Sequence, residues 1–187
     1  MAFIQTIEPD EAERELREIY DELTRSRGKI AEVHKIQSLN PPTISAHMEL
    51  YKRVVFSRSP LSRAEREMIA VAVSAANGCA YCVAHHLEAL KHFRPETQAE
   101  AIAACRYDDA ELSERERALC EYARDLTLKP SEAPAAGEWA QKLRQLGMND
   151  RALLDATLVV AYFNFVNRTV LGLGVELERD PGGYRYE

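Results

Sequence analysis

The stretch of sequence that decides the fold runs over residues 62–86 and reads SRAEREMIAVAVSAANGCAYCVAHH. Ser62 and Glu65 have the spacing of a capping box, in which the serine hydroxyl accepts one free backbone N–H and the glutamate reaches back to another. Asn77-Gly78 should end the helix that follows, because glycine tolerates the left-handed conformation after a helix C-terminus. With a second helix starting at Cys79, the stretch predicts two helices joined by a tight turn.

The rest of the chain continues this helical pattern. Among its 187 residues there are only eight glycines and eight prolines, runs of alternating β-branched residues are absent, and apolar residues recur at spacings of three and four. A second capping-box pair, Ser113 and Glu116, precedes another apolar run. We therefore predict an all-α fold, a helical bundle. Besides the first helix of the opening stretch, the predicted helices cover residues 10–27, 44–55, 79–93, 95–105, 113–128, 139–146 and 150–173.

The length suits one compact domain, and we predict a single helical domain over residues 1–187. It divides into N-terminal helices (1–60), a region that holds the paired cysteines (61–107), a second helical half (108–175) and an extended tail (176–187). A shift of 85 residues places Asn164–Asn167 over Cys79–Cys82, with similar apolar patterning upstream. This echo suggests a degenerate internal duplication whose active motif lies in the first half only.

Charge and hydropathy exclude several classes of partner. The net charge is −6 and no stripe of lysine and arginine occurs, so neither nucleic acid nor an anionic membrane surface is expected as a partner. The N-terminus lacks a basic segment followed by an apolar run, which favours a cytoplasmic protein. Residues 152–173 are apolar but are interrupted by Asp155 and Arg168, and we interpret them as a buried core helix rather than a membrane span.

Cysteine usage points to reversible redox chemistry. Of four cysteines, Cys79 and Cys82 stand three residues apart at the start of a predicted helix, where their side chains share one face. The free N–H groups and the helix dipole at that position favour the reactive thiolate over the thiol. Cys105 and Cys120 lie in apolar helical patterns, so we expect both to be buried and inert.

His86 and Glu67 are candidates for an acid–base pair beside the cysteines. His86 follows Cys82 by four residues and Cys79 by seven, so all three share a helical face. Glu67 precedes the turn by about as many residues as His86 follows it, so a contact between the two is feasible across a helical hairpin. Tyr81 is interpreted as a wall of the site, and His85 as a packed or exposed side chain.

The pattern Glu67-x11-Cys79-x2-Cys82-x3-His86 resembles the AhpD-type alkyl hydroperoxidases of the carboxymuconolactone decarboxylase superfamily. The segments SERER at 113–117 and FNFVNR at 163–168 are similar to its longer, peroxidase-related branch. The resemblance implies an AhpD-like helical bundle that forms dimers, trimers or hexamers. It also implies that Cys82 attacks a peroxide, that Cys79 resolves the product, and that Glu67 and His86 relay protons, with no cofactor and no metal ion.

The leading hypothesis is a thiol peroxidase that reduces an alkyl or hydrogen peroxide through a reversible Cys79–Cys82 disulfide, with a lipoyl or thioredoxin-like dithiol as reductant. Three alternatives stay open. Decarboxylation of a γ-lactone occurs in the same superfamily, although it needs no cysteine pair. A zinc site could use the two cysteines with Glu67 and His86, although structural zinc sites usually pair two ligand-bearing loops. A redox sensor without turnover is the third.

Overall fold

The computed structural model describes residues 2–132, 134–179 and 183–184, and only the backbone of residues 134–136. Every regular element in these ranges is a helix, which confirms the predicted all-α fold. The elements are α1 (Arg14–Arg27), α2 (Glu32–Lys35), α3 (Pro41–Tyr51) with a π-helical turn (Lys52–Phe56), α4 (Arg63–Ala76), α5 (Ala80–Lys91), α6 (Glu96–Ala103), α7 (Glu114–Leu128), α8 (Pro134–Gln145) and α9 (Asp150–Leu173).

Helix α4 forms the centre of the bundle. It packs against α5, α6, α7 and α9. Every residue from Glu65 to Ser74 is buried, as expected for a helix that is surrounded on all sides. One core cluster joins the buried apolar side chains of α4 with those of the surrounding helices. Any polar side chain on α4 therefore needs a partner inside the protein, and this requirement applies above all to Glu67.

Local capping fixes where α4 and α7 begin. Ser62 Oγ accepts the N–H of Glu65 at 3.1 Å, and Glu65 Oε2 accepts the N–H of Ser62 at 2.7 Å. Ser113 and Glu116 form the same reciprocal pair at the start of α7. Arg115 Nε donates to Glu65 Oε1 at 2.7 Å, so the two helix starts are also linked to each other. Both predicted capping boxes are confirmed.

The predicted turn after α4 is confirmed as well. Asn77 is the C-cap of α4, Gly78 has a φ of +67°, and Cys79 is the N-cap of α5. Helices α4 and α5 pack against each other directly after this two-residue turn. The hairpin places the second half of α5 beside the first half of α4, where Glu67 lies.

Helix α9 is the one described helix that is long and apolar enough to cross a membrane. Its inward face, which includes Val159, Phe163 and Val170, is buried in the core against α4. Asp155 is held by Ser59 Oγ and Arg151 Nε, at 2.6 and 2.8 Å. These contacts agree with the interpretation of α9 as a core helix.

Two sequence-based expectations were wrong. Cys105 is exposed rather than buried, because α6 ends at Ala103 and Cys105 adopts a left-handed φ of +56° in the turn that follows. Cys120 is buried as expected, and burial raises its pKa to about 12. The shift of 85 residues also fails as a structural repeat, because it places α4, the Asn77-Gly78 turn and most of α5 onto the single continuous helix α9.

The sequence analysis predicted neither the short helix α2 nor the contact that the tail makes with it. Helix α2 has only four residues, too few to show a helical period. The predicted extended tail lies partly outside the described residues. Its described part has no regular structure over 175–178, where Glu178 Oε1 accepts the N–H of Glu32 at 2.9 Å. The tail therefore meets the start of α2.

Candidate active site

The paired cysteines lie at the N-terminus of α5, where the sequence predicts them. Cys79 is the N-cap residue and Cys82 lies in the first turn. Their Sγ atoms are 3.0 Å apart and both are free thiols, against roughly 2.05 Å for a disulfide bond. Both side chains are almost completely buried. The pair is a dithiol that needs only a small approach of the two sulfur atoms to close.

The two thiols interact so strongly that their pKa values belong to the pair. The two sulfur atoms share one hydrogen bond, and this bond lowers the pKa of Cys79 against the opposing effect of burial. The same hydrogen bond, together with burial and the charge on Cys79, raises the pKa of Cys82.

Glu67 and His86 meet across the helical hairpin. The ring Nδ1 of His86 lies 2.7 Å from Glu67 Oε2, and the Glu67 side chain is completely buried. Burial alone would raise the pKa of Glu67, but the charges and hydrogen bonds of His86 and Arg63 outweigh it and lower that pKa. The carboxylate thus stays ionised inside the protein, and it holds Nδ1 so that Nε2 is the ring nitrogen left for other partners.

Arg63 is a member of this cluster that sequence reasoning missed. Its Nε donates to Glu67 Oε1 at 2.9 Å, and its guanidinium lies 3.7 Å from the ring centroid of Phe56. The spacing of four residues between Arg63 and Glu67 on one helix is the pattern that would have predicted the pair. Glu67 therefore has two partners, Arg63 and His86, and both of its oxygens are engaged.

A small cavity with a volume of about 60 Å³ opens beside Cys82 and His86. Cys79 is not among the residues that line it, so Cys82 is the sulfur that a ligand in the cavity meets. Phe163 packs edge-on against the His86 ring, with ring centroids 4.5 Å apart. The full lining is Arg27, Ala31, Val33, His34, His47, Tyr51, Tyr81, Cys82, His85, His86, Tyr162, Phe163, Val166 and Tyr184.

Polar residues from α1, α2, α3 and α9 form the far wall of this cavity, and sequence reasoning assigned none of them to the site. His47 Nε2 lies 2.7 Å from Tyr162 Oη, and Gln37 Nε2 donates to His47 Nδ1 at 2.8 Å. Burial lowers the pKa of His47 to about 4, so it is neutral at pH 7. These residues are far apart in sequence and come together only through tertiary packing.

Tyr81 and His85 connect the site to the tail. Tyr81 Oη donates to Glu178 Oε1 at 2.9 Å and accepts the N–H of Val33 at 3.2 Å. His85 packs on the Tyr81 ring and its Nε2 lies 2.9 Å from Glu178 Oε2. Burial, with the charge of Glu178, raises the pKa of Tyr81. The tyrosine thus forms a wall of the cavity, as expected, and it also anchors the tail.

An asparagine network supports the cysteines from α9. Asn77 Nδ2 donates to the side-chain oxygens of Asn164 and Asn167, at 3.1 and 2.9 Å, and Asn167 Nδ2 donates to Ser74 Oγ at 3.2 Å. These asparagine side chains therefore link α9 to the end of α4 by hydrogen bonds. Asn167 also lowers the pKa of Cys82, a role that the sequence analysis did not anticipate.

The zinc alternative finds little geometric support. Glu67 directs both oxygens to His86 and Arg63. Across the described ranges, no three His, Cys, Asp or Glu side chains are grouped as metal ligands. The donor set of this site thus favours proton and thiol chemistry.

Comparisons with known proteins show which family and which solved structures this chain resembles. The model of the carboxymuconolactone decarboxylase family matches residues 41–125, which include the whole α4–α5 hairpin. The structure of an AhpD-core, peroxidase-related protein from Ralstonia eutropha JMP134 is similar, with a TM-score of 0.84 and 25% identity over 96% of this chain and 94% of that one. A peroxidase-related protein from Silicibacter sp. TM1040 has a TM-score of 0.79 and 28% identity, covering 88% of this chain and 85% of that one.

Among curated proteins, the uncharacterized protein YdfG of Bacillus subtilis (strain 168) is 26% identical over 132 residues, which cover 70% of this chain and 85% of YdfG. The family match covers the region that carries the cysteine pair, and the structural matches extend the likeness to nearly the whole fold. The chain therefore resembles the carboxymuconolactone decarboxylase family in sequence over residues 41–125, and it shares its fold with AhpD-like, peroxidase-related proteins over nearly its whole length.

Proposed function

We propose that this protein is a thiol peroxidase that reduces an organic hydroperoxide or hydrogen peroxide at Cys82. The observation that carries the proposal is the position of Cys82 and His86 on one cavity, with Cys79 in contact with Cys82 from behind. Peroxide cleavage needs a thiolate to attack one oxygen and an acid for the departing one. The likeness to peroxidase-related proteins supports the same reaction class.

The first step begins with a proton transfer inside the cysteine pair. Once the pair has lost one proton, Cys82 passes its own proton to Cys79 along the 3.0 Å contact, so that the thiolate forms at the cavity. Cys82 Sγ then attacks the terminal peroxide oxygen and the O–O bond breaks. Cys82 becomes a sulfenic acid, and the alkoxide leaves with a proton from protonated His86. Glu67 stabilises that imidazolium through Nδ1.

The second step closes the disulfide. Cys79 loses its proton to His86 and attacks Cys82 Sγ, and hydroxide leaves with that proton as water. In sum, one hydroperoxide and two thiols give one alcohol, one water and the Cys79–Cys82 disulfide. A lipoyl or thioredoxin-like dithiol then reduces the disulfide by exchange and is itself oxidised. This cycle fits a reducing compartment such as the cytoplasm, where the pair rests as two thiols.

Thiol counting after a single equivalent of cumene hydroperoxide tests the proposal. The reduced protein should lose two thiols, and peptide mapping should find Cys79 joined to Cys82. Cys82→Ser should lose peroxide consumption, whereas Cys79→Ser should stop at a sulfenic acid that dimedone traps on Cys82. Cys105→Ser is the matched control, because Cys105 is the exposed thiol, and it should oxidise like the wild type.

Two results would count against the assignment. A dimedone adduct on Cys79 in Cys82→Ser would assign the attack to the thiol with the lowered pKa. Full peroxide turnover in Cys82→Ser would remove the cysteine pair from the mechanism. Repeated consumption of peroxide in the presence of dihydrolipoamide distinguishes an enzyme from a redox sensor. A sensor would be oxidised by one equivalent of peroxide and would consume further peroxide only slowly.

A further inference from the structure

Two polar atoms in the cavity are buried without a partner. Arg27 Nε and His34 Nδ1 have no hydrogen-bond partner among the described residues, and His34 is 95% buried. Both residues line the cavity that holds Cys82 and His86. A buried donor without an acceptor costs roughly 1–3 kcal/mol, so such atoms usually have a function that requires them.

Other buried or partly buried histidine and arginine side chains near the site do have hydrogen-bond partners. His47, whose ring centroid lies 5.5 Å from that of His34, uses both ring nitrogens. Arg63 is paired with Glu67, and Arg66 donates to the carbonyl oxygen of Ser57 at 2.8 Å. Among the described residues, the one other buried polar atom without a hydrogen-bond partner is Tyr107 Oη, and Tyr107 does not line this cavity.

Arg27 is the one arginine, lysine or carboxylate among the described residues that line the cavity. Burial, His47 and the guanidinium of Arg27 lower the pKa of His34, so its ring is neutral. Arg27 lies over the rings of Tyr51 and Tyr184, at 5.2 and 5.4 Å, and forms no ion pair within the described ranges. The neighbouring acid is Glu178, which is already held by Tyr81, His85 and the backbone of Glu32.

We propose that this wall binds a carboxylate, and that the substrate of the peroxidase is a short hydroperoxide that carries one. The proposal rests on the function proposed above. Arg27 Nε and His34 Nδ1, with its proton, would donate to the carboxylate, and the peroxide end would reach Cys82 and His86. Tyr162 lines the same cavity, and its hydroxyl is already hydrogen-bonded to His47 Nε2 at 2.7 Å. A neutral alkyl hydroperoxide has no group that needs this second donor set.

The size and lining of the cavity limit the rest of the ligand. A volume of about 60 Å³ is about four times what one water molecule needs on the same measure. Aromatic side chains, including Tyr51, Tyr162 and Phe163, form most of the remaining wall. We therefore expect a short apolar chain or a small ring between the carboxylate and the peroxide.

Calorimetry with butyrate, and with butyramide as its uncharged analogue, tests the binding without any turnover. Butyrate should bind reduced protein at one site per chain and butyramide should not. Arg27→Gln should weaken butyrate binding about 10- to 100-fold, the effect of one charge-assisted hydrogen bond, whereas Arg27→Lys should keep most of it. Arg53→Gln is the matched control, because Arg53 is an exposed arginine paired with Glu49, and it should bind like the wild type. Equal binding of the two ligands, or unchanged binding in Arg27→Gln, would overturn the inference.

A kinetic comparison separates this inference from the proposed function. The kcat/KM for a carboxylate-bearing hydroperoxide should exceed that for tert-butyl hydroperoxide about 10-fold or more, and Arg27→Gln should remove the difference by raising KM for the acid alone. Equal values for both peroxides in the wild type would overturn the carboxylate site and leave the peroxidase intact. Butyrate binding without oxidation by either peroxide would contradict the peroxidase and leave the site standing.

Discussion

Glu67 is the residue on which the candidate site depends most. It is a fully buried carboxylate between His86 and Arg63, on the helix at the centre of the bundle. Burying a single charge in such a place is costly unless it is paired on all sides. Arg63 alone could pair with Glu67 if the carboxylate were only structural, but Glu67 also holds His86, which faces the cavity. Glu67 therefore links the stability of the core to the orientation of His86.

Glu67→Gln should therefore lower stability and rate together. The amide keeps the shape but loses the charge that holds His86 and Arg63, so we expect about 1–3 kcal/mol less stability in urea unfolding. Single-turnover oxidation of Cys82 should slow by about 10²–10⁴-fold, the usual range for an acid–base group. Unchanged kinetics would show that Glu67 is only scaffold.

The pH dependence of unfolding shows which protonation state of Glu67 stabilises the folded protein. Because the pKa of Glu67 is lowered in the folded state, its stabilising contribution is fully present above the unfolded value of 4.5 and is lost as the pH falls through the folded value. The stability gap between wild type and Glu67→Gln should thus shrink in acid. Glu49→Gln is the control, because Glu49 pairs with Arg53 at the same spacing on the surface and should cost less than about 1 kcal/mol.

Asn167 has a separate, electrostatic role. Its side-chain amide lowers the pKa of Cys82, the thiol that faces the cavity. Asn167→Ala should raise that pKa, so that alkylation of Cys82 by iodoacetamide shifts to higher pH and its oxidation slows by about tenfold, as expected for the loss of one hydrogen bond to a charged group. Asn164→Ala breaks the same asparagine network away from the thiol and should leave the pH profile unchanged. Equal shifts in both variants would mean that Asn167 acts through the fold.

At the scale of elements, the sequence predicts what is encoded locally. The two capping boxes and the Asn77-Gly78 turn depend on residues within a few positions of one another, and the structure confirms them. The wall formed by Arg27 and His34 could not be predicted, because Arg27 packs on Tyr51 and His34 packs on His47, and no local sequence pattern reveals such contacts. The exposed Cys105 was missed because an apolar pattern does not reveal a left-handed turn at a non-glycine residue.

The turn between α4 and α5 sets the register that brings Glu67 opposite His86. Gly78 has a φ of +67° with open space around it, so Gly78→Ala should cost about 1–2 kcal/mol of backbone strain without a steric clash. Relief of that backbone strain would move α5 relative to α4. A displacement of catalytic side chains by about 1 Å can lower the reaction rate by up to ~10²-fold. We expect a roughly tenfold slower oxidation of Cys82 in single-turnover measurements.

Gly147→Ala is the matched variant for this test. Gly147 also has a positive φ, of +83°, and open space around it, but it precedes α9 rather than joining the hairpin. It should lose similar stability in urea unfolding and keep the wild-type rate. If both variants slow equally, the rate reflects general stability and not the register of the hairpin.

At the scale of the whole molecule, one face of α9 is apolar and exposed. Leu154, Leu158, Ala161 and Phe165 recur at spacings of four, three and four, which places them on one side of the helix. The three large side chains are 54%, 41% and 49% exposed, and Leu50 of α3 lies beside Leu158. A contiguous exposed apolar face of this kind is typical of an interface between subunits.

We predict that this face joins two copies of the chain. A double substitution, Leu154→Lys with Leu158→Lys, introduces charges that cannot be buried against an identical face, so it should raise the dissociation constant of the oligomer at least tenfold, or about 1.4 kcal/mol. Sedimentation velocity across a concentration series measures this directly. Leu128→Lys is the control, because Leu128 is a similarly exposed leucine, at 56%, that belongs to α7 and not to α9, and it should sediment like the wild type. A wild type that stays monomeric at high concentration, or a double variant that assembles normally, would show that the face serves another purpose.

The same face also contacts the cavity wall, because Phe165 packs edge-on against His47 with 5.8 Å between the ring centroids. If the partner subunit stabilises that wall, the dissociated double variant should bind butyrate more weakly than the wild type.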